Sequence, residues 1–157
     1  QFSRSGAIRA EGWADLGYQH AEYLLGQIFL HNSHLWFPAY IAAEPTVALH
    51  SAFDANGLTA KHAFVGYWKQ TAQKLPNKVV ASFYVAPDQK RAFMLVMNVN
   101  ETDVTLDLAP SAEALGMAGL ASGRQLYPNA DILYAKGRMP NATIPANNFR
   151  LYLLSDQ

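Results

Sequence analysis

The period of the apolar residues changes along this chain, and the change divides it. Trp13, Leu16, Ala21, Leu24, Leu25 and Ile28 recur mostly at helical steps, which places a broad apolar stripe on one face of an α-helix. The helix is predicted over residues 7–31. Ser3 and Ser5 are candidate N-caps, and Glu11 and Asp15 fall in early turns, where negative charge complements the helix dipole. Gly12, Gly17 and Gly26 each cost about 1 kcal/mol relative to Ala inside a helix, so the segment needs tertiary support. Its Trp13, Leu16, Leu24 and Ile28 face is expected to pack on the remainder of the same protein or on another subunit.

An aromatic stretch follows, with Trp36, Phe37 and Tyr40 between the helix-breaking Pro38 and Pro45. It reads as a packed connector. From Thr46 the period moves toward two. Val47, Leu49 and residues 62–68 read as strands, separated by the turn signal Asp54-Ala55-Asn56-Gly57. After a polar loop over 69–78 come the clearest strand signals, 79–85, 92–98 and 104–108, with hairpin turns at 87–89 and 100–101. Residues 111–115 suggest a short helical turn ending at Gly116. Weaker strands are expected at 124–127 and 132–136, and the last at 141–144 and 149–154, where Phe149, Leu151 and Leu153 alternate.

Short strands at regular spacing favour a sandwich. The expected fold is therefore mainly β, an antiparallel β-sandwich over residues 46–157 preceded by an N-terminal helix and aromatic connector over residues 1–45. No internal repeat or low-complexity tract is visible. The 157 residues are 50% hydrophobic, enough for one sizeable core.

Charge and cysteine content narrow the function. Twelve basic and twelve acidic residues give a net charge of zero, so no broad field gathers phosphate backbones or anionic lipids, and nucleic acid is excluded as an expected partner. The absence of Cys removes disulfides, thiolate nucleophiles and Cys-type zinc sites. Residues 23–30, the longest apolar stretch near the start, are broken by Gly26 and Gln27 and fall far short of the roughly 20 residues of a membrane helix. The chain opens on Gln1 without a signal-peptide pattern and reads as a processed product or excised fragment.

Candidate chemistry is sparse. His31 and His34 stand three apart at the helix end, but a metal needs a further ligand and no HExxH frame surrounds them. A histidine there also complements the helix dipole, and that structural reading is preferred. Glu11, Asp15 and Glu22 have the spacing of a solvated helix face, which outweighs an acid/base pair. No GxSxG elbow accompanies the serines. No catalytic residue, cofactor or metal ligand is predicted. Trp36, Tyr67 and Trp68 are candidates for stacking on the apolar C–H faces of sugar rings, a reading subordinate to their use in a core. Asn100-Glu101-Thr102 and Asn141-Ala142-Thr143 are sequons, making Asn100 and Asn141 candidate glycosylation sites and an extracytoplasmic or secreted location the expectation.

Several ordered strings carry a family resemblance. Phe64-Val65-Gly66-Tyr67-Trp68 precedes Val79-Val80-Ala81-Ser82-Phe83-Tyr84, a strand ending Val96-Met97-Asn98, the strand from Val104 to Leu108, Leu115-Gly116, and a closing Ile144-Pro145 with Phe149-Arg150-Leu151. Over about 100 residues, Phe53 to Leu154, the chain resembles the C-terminal part of glycoside hydrolase family 123-like proteins. The resemblance implies a preceding catalytic (β/α)-barrel in which paired carboxylates or a substrate acetamido group promote glycosidic cleavage. No residue here matches a catalytic position of that family. The leading expectation is thus a non-catalytic C-terminal β-sandwich supporting a barrel and associating with carbohydrate. The alternatives are a structural or adhesive extracellular module and a lectin-like binder, the latter requiring Trp36, Tyr67 and Trp68 at the surface.

Overall fold

Among the described residues, two helices and eight strands follow in the order α1 (Trp13–Leu30), α2 (Ala43–Ala55), β1 (Ala63–Val65), β2 (Val79–Val85), β3 (Arg91–Asn98), β4 (Val104–Leu108), β5 (Ser122–Tyr127), β6 (Leu133–Ala135), β7 (Met139–Ile144) and β8 (Asn148–Ser155). The computed structural model describes residues 13–33, 43–128 and 133–157, and side chains from residue 21 in α1 and residue 44 in α2. Six strands form one antiparallel sheet in the order β1-β2-β3-β8-β5-β6, and β4 pairs with β7 in a second.

The near-continuous apolar runs of β2 and β3 follow from burial on both faces. On one face Phe83, Met94, Val96 and Leu154 meet Met139 and Ile144 of the two-stranded sheet. On the other, Phe93, Leu95, Met97 and Phe149 receive Leu25 and Leu30 of α1 with Leu49 and Phe53 of α2. The result is three layers, with the helices on one side of the large sheet and β4–β7 on the other. A large apolar side chain wholly removed from water contributes about 1.5–3 kcal/mol, so the middle layer carries most of the burial.

The mainly β, two-sheet architecture agrees with the sequence. The strand expected at Val47 and Leu49 does not form, because these residues lie in α2. Leu49 and Phe53 are 0% and 2% exposed and four apart, which puts both on the helix face turned to the sheet. Val47 points outward at 62% exposed, so its alternation with Leu49 imitated a strand. Pro45 is tolerated because it sits in the first turn, where N–H groups have no helical partner.

The Asp54–Gly57 turn signal is the end of this helix. Gly57, at φ 76°, donates its N–H to Asp54 at 3.1 Å, and Leu58 donates to Phe53 at 3.0 Å, the paired bonds of a Schellman motif. α1 ends the same way on Asn32 (φ 52°), with Ser33 N–H bonded to the Ile28 carbonyl at 2.8 Å. The strand expected over 62–68 shortens to β1, because residues 66–70 turn back on the Gly66 carbonyl. The helical turn expected before Gly116 forms as a 3-10 turn, Glu113–Leu115, closed by Gly116 in the left-handed region.

Gly26 lets α1 lie directly on the sheet. A Cβ there would stand 2.9 Å from Phe149 Cδ1 and 3.3 Å from Met97 Sδ. The glycine that looked costly in the sequence allows a close approach between helix and sheet.

Candidate functional site

Two of the buried polar residues, Glu22 and Ser82, lie in the seam between α1 and the large sheet. Glu22, expected on a solvated face, is 8% exposed. Its Oε1 accepts a hydrogen bond from the Tyr127 hydroxyl at 2.8 Å, and its Oε2 accepts one from the Asn148 amide at 2.6 Å. A buried carboxylate needs such partners, and here they come from β5 and β8. With both oxygens occupied, Glu22 acts as a tether between helix and sheet.

The other end of the helix is fastened by hydroxyls. Ser82 Oγ donates to the Leu30 carbonyl at 2.7 Å while accepting the Tyr67 N–H at 3.0 Å, and the Tyr84 hydroxyl donates to the Phe29 carbonyl. Both carbonyls belong to the last turn of α1, beyond the reach of the regular helical ladder, and that of Phe29 also accepts the Asn32 N–H at 3.3 Å. Burial raises the Tyr84 pKa above that of an ordinary tyrosine, keeping the donor proton in place. Asn98, fully buried, donates to the carbonyls of Thr102, Ile144 and Pro145 at 2.9–3.1 Å and accepts the Asn100 N–H at 2.9 Å. It joins the β3–β4 turn to the end of β7.

His31 lies exposed at the end of α1, its Nδ1 bonded to the Gln27 carbonyl at 2.8 Å. Its ring faces Tyr67 edge-on at 5.4 Å and Trp68 at 6.1 Å with planes 25° apart. The Trp68 ring also lies over Gly66, yet Trp68 is 54% exposed. Tyr67 is half-buried. The structure thus brings Tyr67 and Trp68 into one surface cluster with His31. Trp36, Phe37, Tyr40, His34, Glu11, Ser3 and Ser5 lie outside the described residues, as do the side chains of Trp13, Asp15 and Leu16. Among the described residues no group of three His, Cys, Asp or Glu is placed to hold a metal.

The expected partner face of α1 is divided: Ile28 and Leu25 turn to the interior, whereas Leu24 (42%) and Tyr23 (37%) are exposed. The two sequon asparagines also differ. Asn100 is half-buried and its amide donates to Asn98 Oδ1 at 2.8 Å, while Asn141 is exposed at φ 53°.

Among the described residues, the surface grooves include two of similar size. One, of about 430 Å³, lies between α2, the end of α1 and residues 58–62, with Phe29, Phe53 and Tyr84 below and His50, Asp54 and His62 around it. His62 Nδ1 accepts the Thr59 N–H at 3.2 Å, and burial lowers its pKa from the usual histidine value. The other, of about 470 Å³, lies between β4, β6 and the start of β7, with Asp107 and Arg138 in its wall. Neither groove was legible in the sequence, because each is assembled from elements distant along the chain.

No protein-family model matches the chain, and no curated protein matches it. Its fold is similar to parts of solved glycoside hydrolases. A protein from Bacillus halodurans C-125 assigned as an alpha-N-acetylgalactosaminidase is 13% identical, with a TM-score of 0.57 over 87% of this chain and 31% of that one. A glycoside hydrolase family 30 subfamily 8 xylanase from Clostridium acetobutylicum is 11% identical, with a TM-score of 0.52 over 97% of this chain and 46% of that one. The chain spans less than half the length of either. At these identities the likeness is one of fold alone.

Proposed function

We propose that the chain is the non-catalytic β-sandwich portion of a carbohydrate-active protein of glycoside hydrolase type, nearest the family 123-like group, and that it supports a catalytic barrel formed by other residues of the same polypeptide. The observation that carries this reading is the helical layer. α1 is fastened to the sheet by Glu22, Ser82 and Tyr84 and α2 packs on it through Leu49 and Phe53, yet the two helices present Tyr23, Leu24 and Val47 outward at 37%, 42% and 62% exposure. A rigid layer with outward apolar side chains suits a surface on which another domain rests. Glu22, buried with a hydrogen bond to each carboxylate oxygen, is read as an anchor of α1. The exposed Asn141 sequon supports the extracytoplasmic location that goes with this reading. An adhesive module growing by strand addition to the large sheet is less favoured, because its edge strands β1 and β6 have only three residues each.

Leu24→Glu and Val47→Glu test the supporting role. Both positions are exposed within this chain, so its own fold tolerates charge there. In the intact polypeptide each substitution is expected to uncouple the unfolding of this domain from that of the barrel, giving two calorimetric transitions in place of one. A single unshifted transition in both variants would contradict the proposal.

A further inference from the structure

The groove between β4, β6 and β7 forms where the chain changes sheets. Lys136 and Gly137, at φ 57° and 59°, make a tight turn closed by the Arg138 N–H on the Ala135 carbonyl at 3.2 Å. The turn leaves β6 in the large sheet and delivers β7 to the small one. The cleft left behind, about 470 Å³, falls in the range of about 300–1,000 Å³ usual for small-ligand sites.

Its wall is mostly apolar, with Leu108, Leu133, Tyr134 and Pro140. Leu133 is 71% exposed, and Tyr134 is braced against the buried Tyr152 ring at 6.4 Å. Among the described residues, two charged groups of opposite sign also line it. Asp107 is fixed by accepting the Asn141 N–H on Oδ1 at 2.8 Å, which leaves Oδ2 for a ligand. The Arg138 guanidinium has no hydrogen bond or ion pair among the described residues.

The geometry points to a saccharide-binding groove that takes a neutral pyranose unit, an inference that rests on the carbohydrate reading above. A sugar offers an apolar C–H face for Leu133 and Tyr134, a hydroxyl that donates to Asp107, and an oxygen that accepts from Arg138. An anionic sugar would meet repulsion from Asp107 as well as attraction to Arg138. The groove lies on the side of the large sheet away from α1 and α2, so it stays open when another domain covers the helical layer.

The intact polypeptide, applied to an array of neutral and uronate-bearing oligosaccharides and then titrated calorimetrically with its best neutral glycan, tests the assignment. Arg138→Ala and Asp107→Asn are each expected to weaken binding about tenfold or more, with near-UV circular dichroism unchanged, and Arg138→Lys to recover part of the loss. Equal affinity in both variants, or no neutral glycan bound, would overturn the groove. So would a preference for uronates that Asp107→Asn strengthens. Glycoside cleavage separates the two proposals. A polypeptide that cleaves glycosides but binds them equally in both variants refutes the groove alone. One that cleaves none, yet loses glycan binding on Arg138→Ala, keeps the groove and refutes the hydrolase reading.

Discussion

Glu22 and Asn148 stand 126 residues apart in sequence and 2.6 Å apart in space, the helix carboxylate accepting the amide of the last strand. Together with the Tyr127 hydroxyl at 2.8 Å, this contact fixes where α1 crosses the sheet.

Glu22→Ala should therefore be costly although it removes a charged residue from a helix. The Asn148 amide would lose its acceptor at a half-buried site, at a cost of about 1–3 kcal/mol. Chemical denaturation should show a lower midpoint with an unchanged slope. Glu22→Gln should fall between, since the new amide keeps one acceptor and places a donor against a donor.

Two buried tyrosines should respond differently to loss of the hydroxyl. Tyr84 donates to a helix-end carbonyl, so Tyr84→Phe should destabilise by about 1–2 kcal/mol. The Tyr152 hydroxyl is buried without a hydrogen-bond partner, so Tyr152→Phe should be neutral or mildly stabilising. Thermal unfolding of the two variants checks the contrast.

The same tyrosines set an alkaline limit. Burial raises the pKa of both above the ordinary value, so the folded state holds their protons more firmly than the unfolded chain. Their contribution is fully present below the unfolded tyrosine pKa of about 10 and is lost as pH rises beyond it. Unfolding free energy measured across that range should fall, and less steeply in Tyr152→Phe.

Gly26→Ala should destabilise despite the better helix propensity of Ala. The propensity gain is about 1 kcal/mol, but the new Cβ would meet Phe149 at 2.9 Å, and overpacking of this kind costs about 1–3 kcal/mol. A rise in the unfolding midpoint would show that α1 can lift away from the sheet at little cost.

Asn98→Asp is nearly isosteric and should still be severe. The Asn98 amide nitrogen is within 3.1 Å of three carbonyl oxygens, and a carboxylate would set acceptor against acceptors. A loss of at least about 2 kcal/mol is expected, with faster amide exchange in the β3–β4 turn.

Much of the β architecture was legible because burial on both faces leaves a continuous apolar run. The expected bounds 79–85 and 104–108 are those of β2 and β4. α2 was not, because Val47, Leu49 and Pro45 together imitate a strand and a break, and only the four-residue spacing of Leu49 and Phe53 betrays the helix. The strings that carried the family resemblance acquire a physical meaning. In Ser82-Phe83-Tyr84 the hydroxyls close the end of α1, and in Val96-Met97-Asn98 the amide ties two loops. The burial of Glu22 could not be read locally, since its partners lie 105 and 126 positions away. Its place within the stripe, between Ala21 and Leu25, was the available hint.

The most direct test of the central claim is the intact mass of the polypeptide that carries this sequence, isolated from its source. The supporting-domain account predicts a chain of barrel-plus-domain size, at least twice the 17.3 kDa of these residues, in line with neighbours of which this chain spans 31% and 46%. A complete gene product of 17.3 kDa would contradict it.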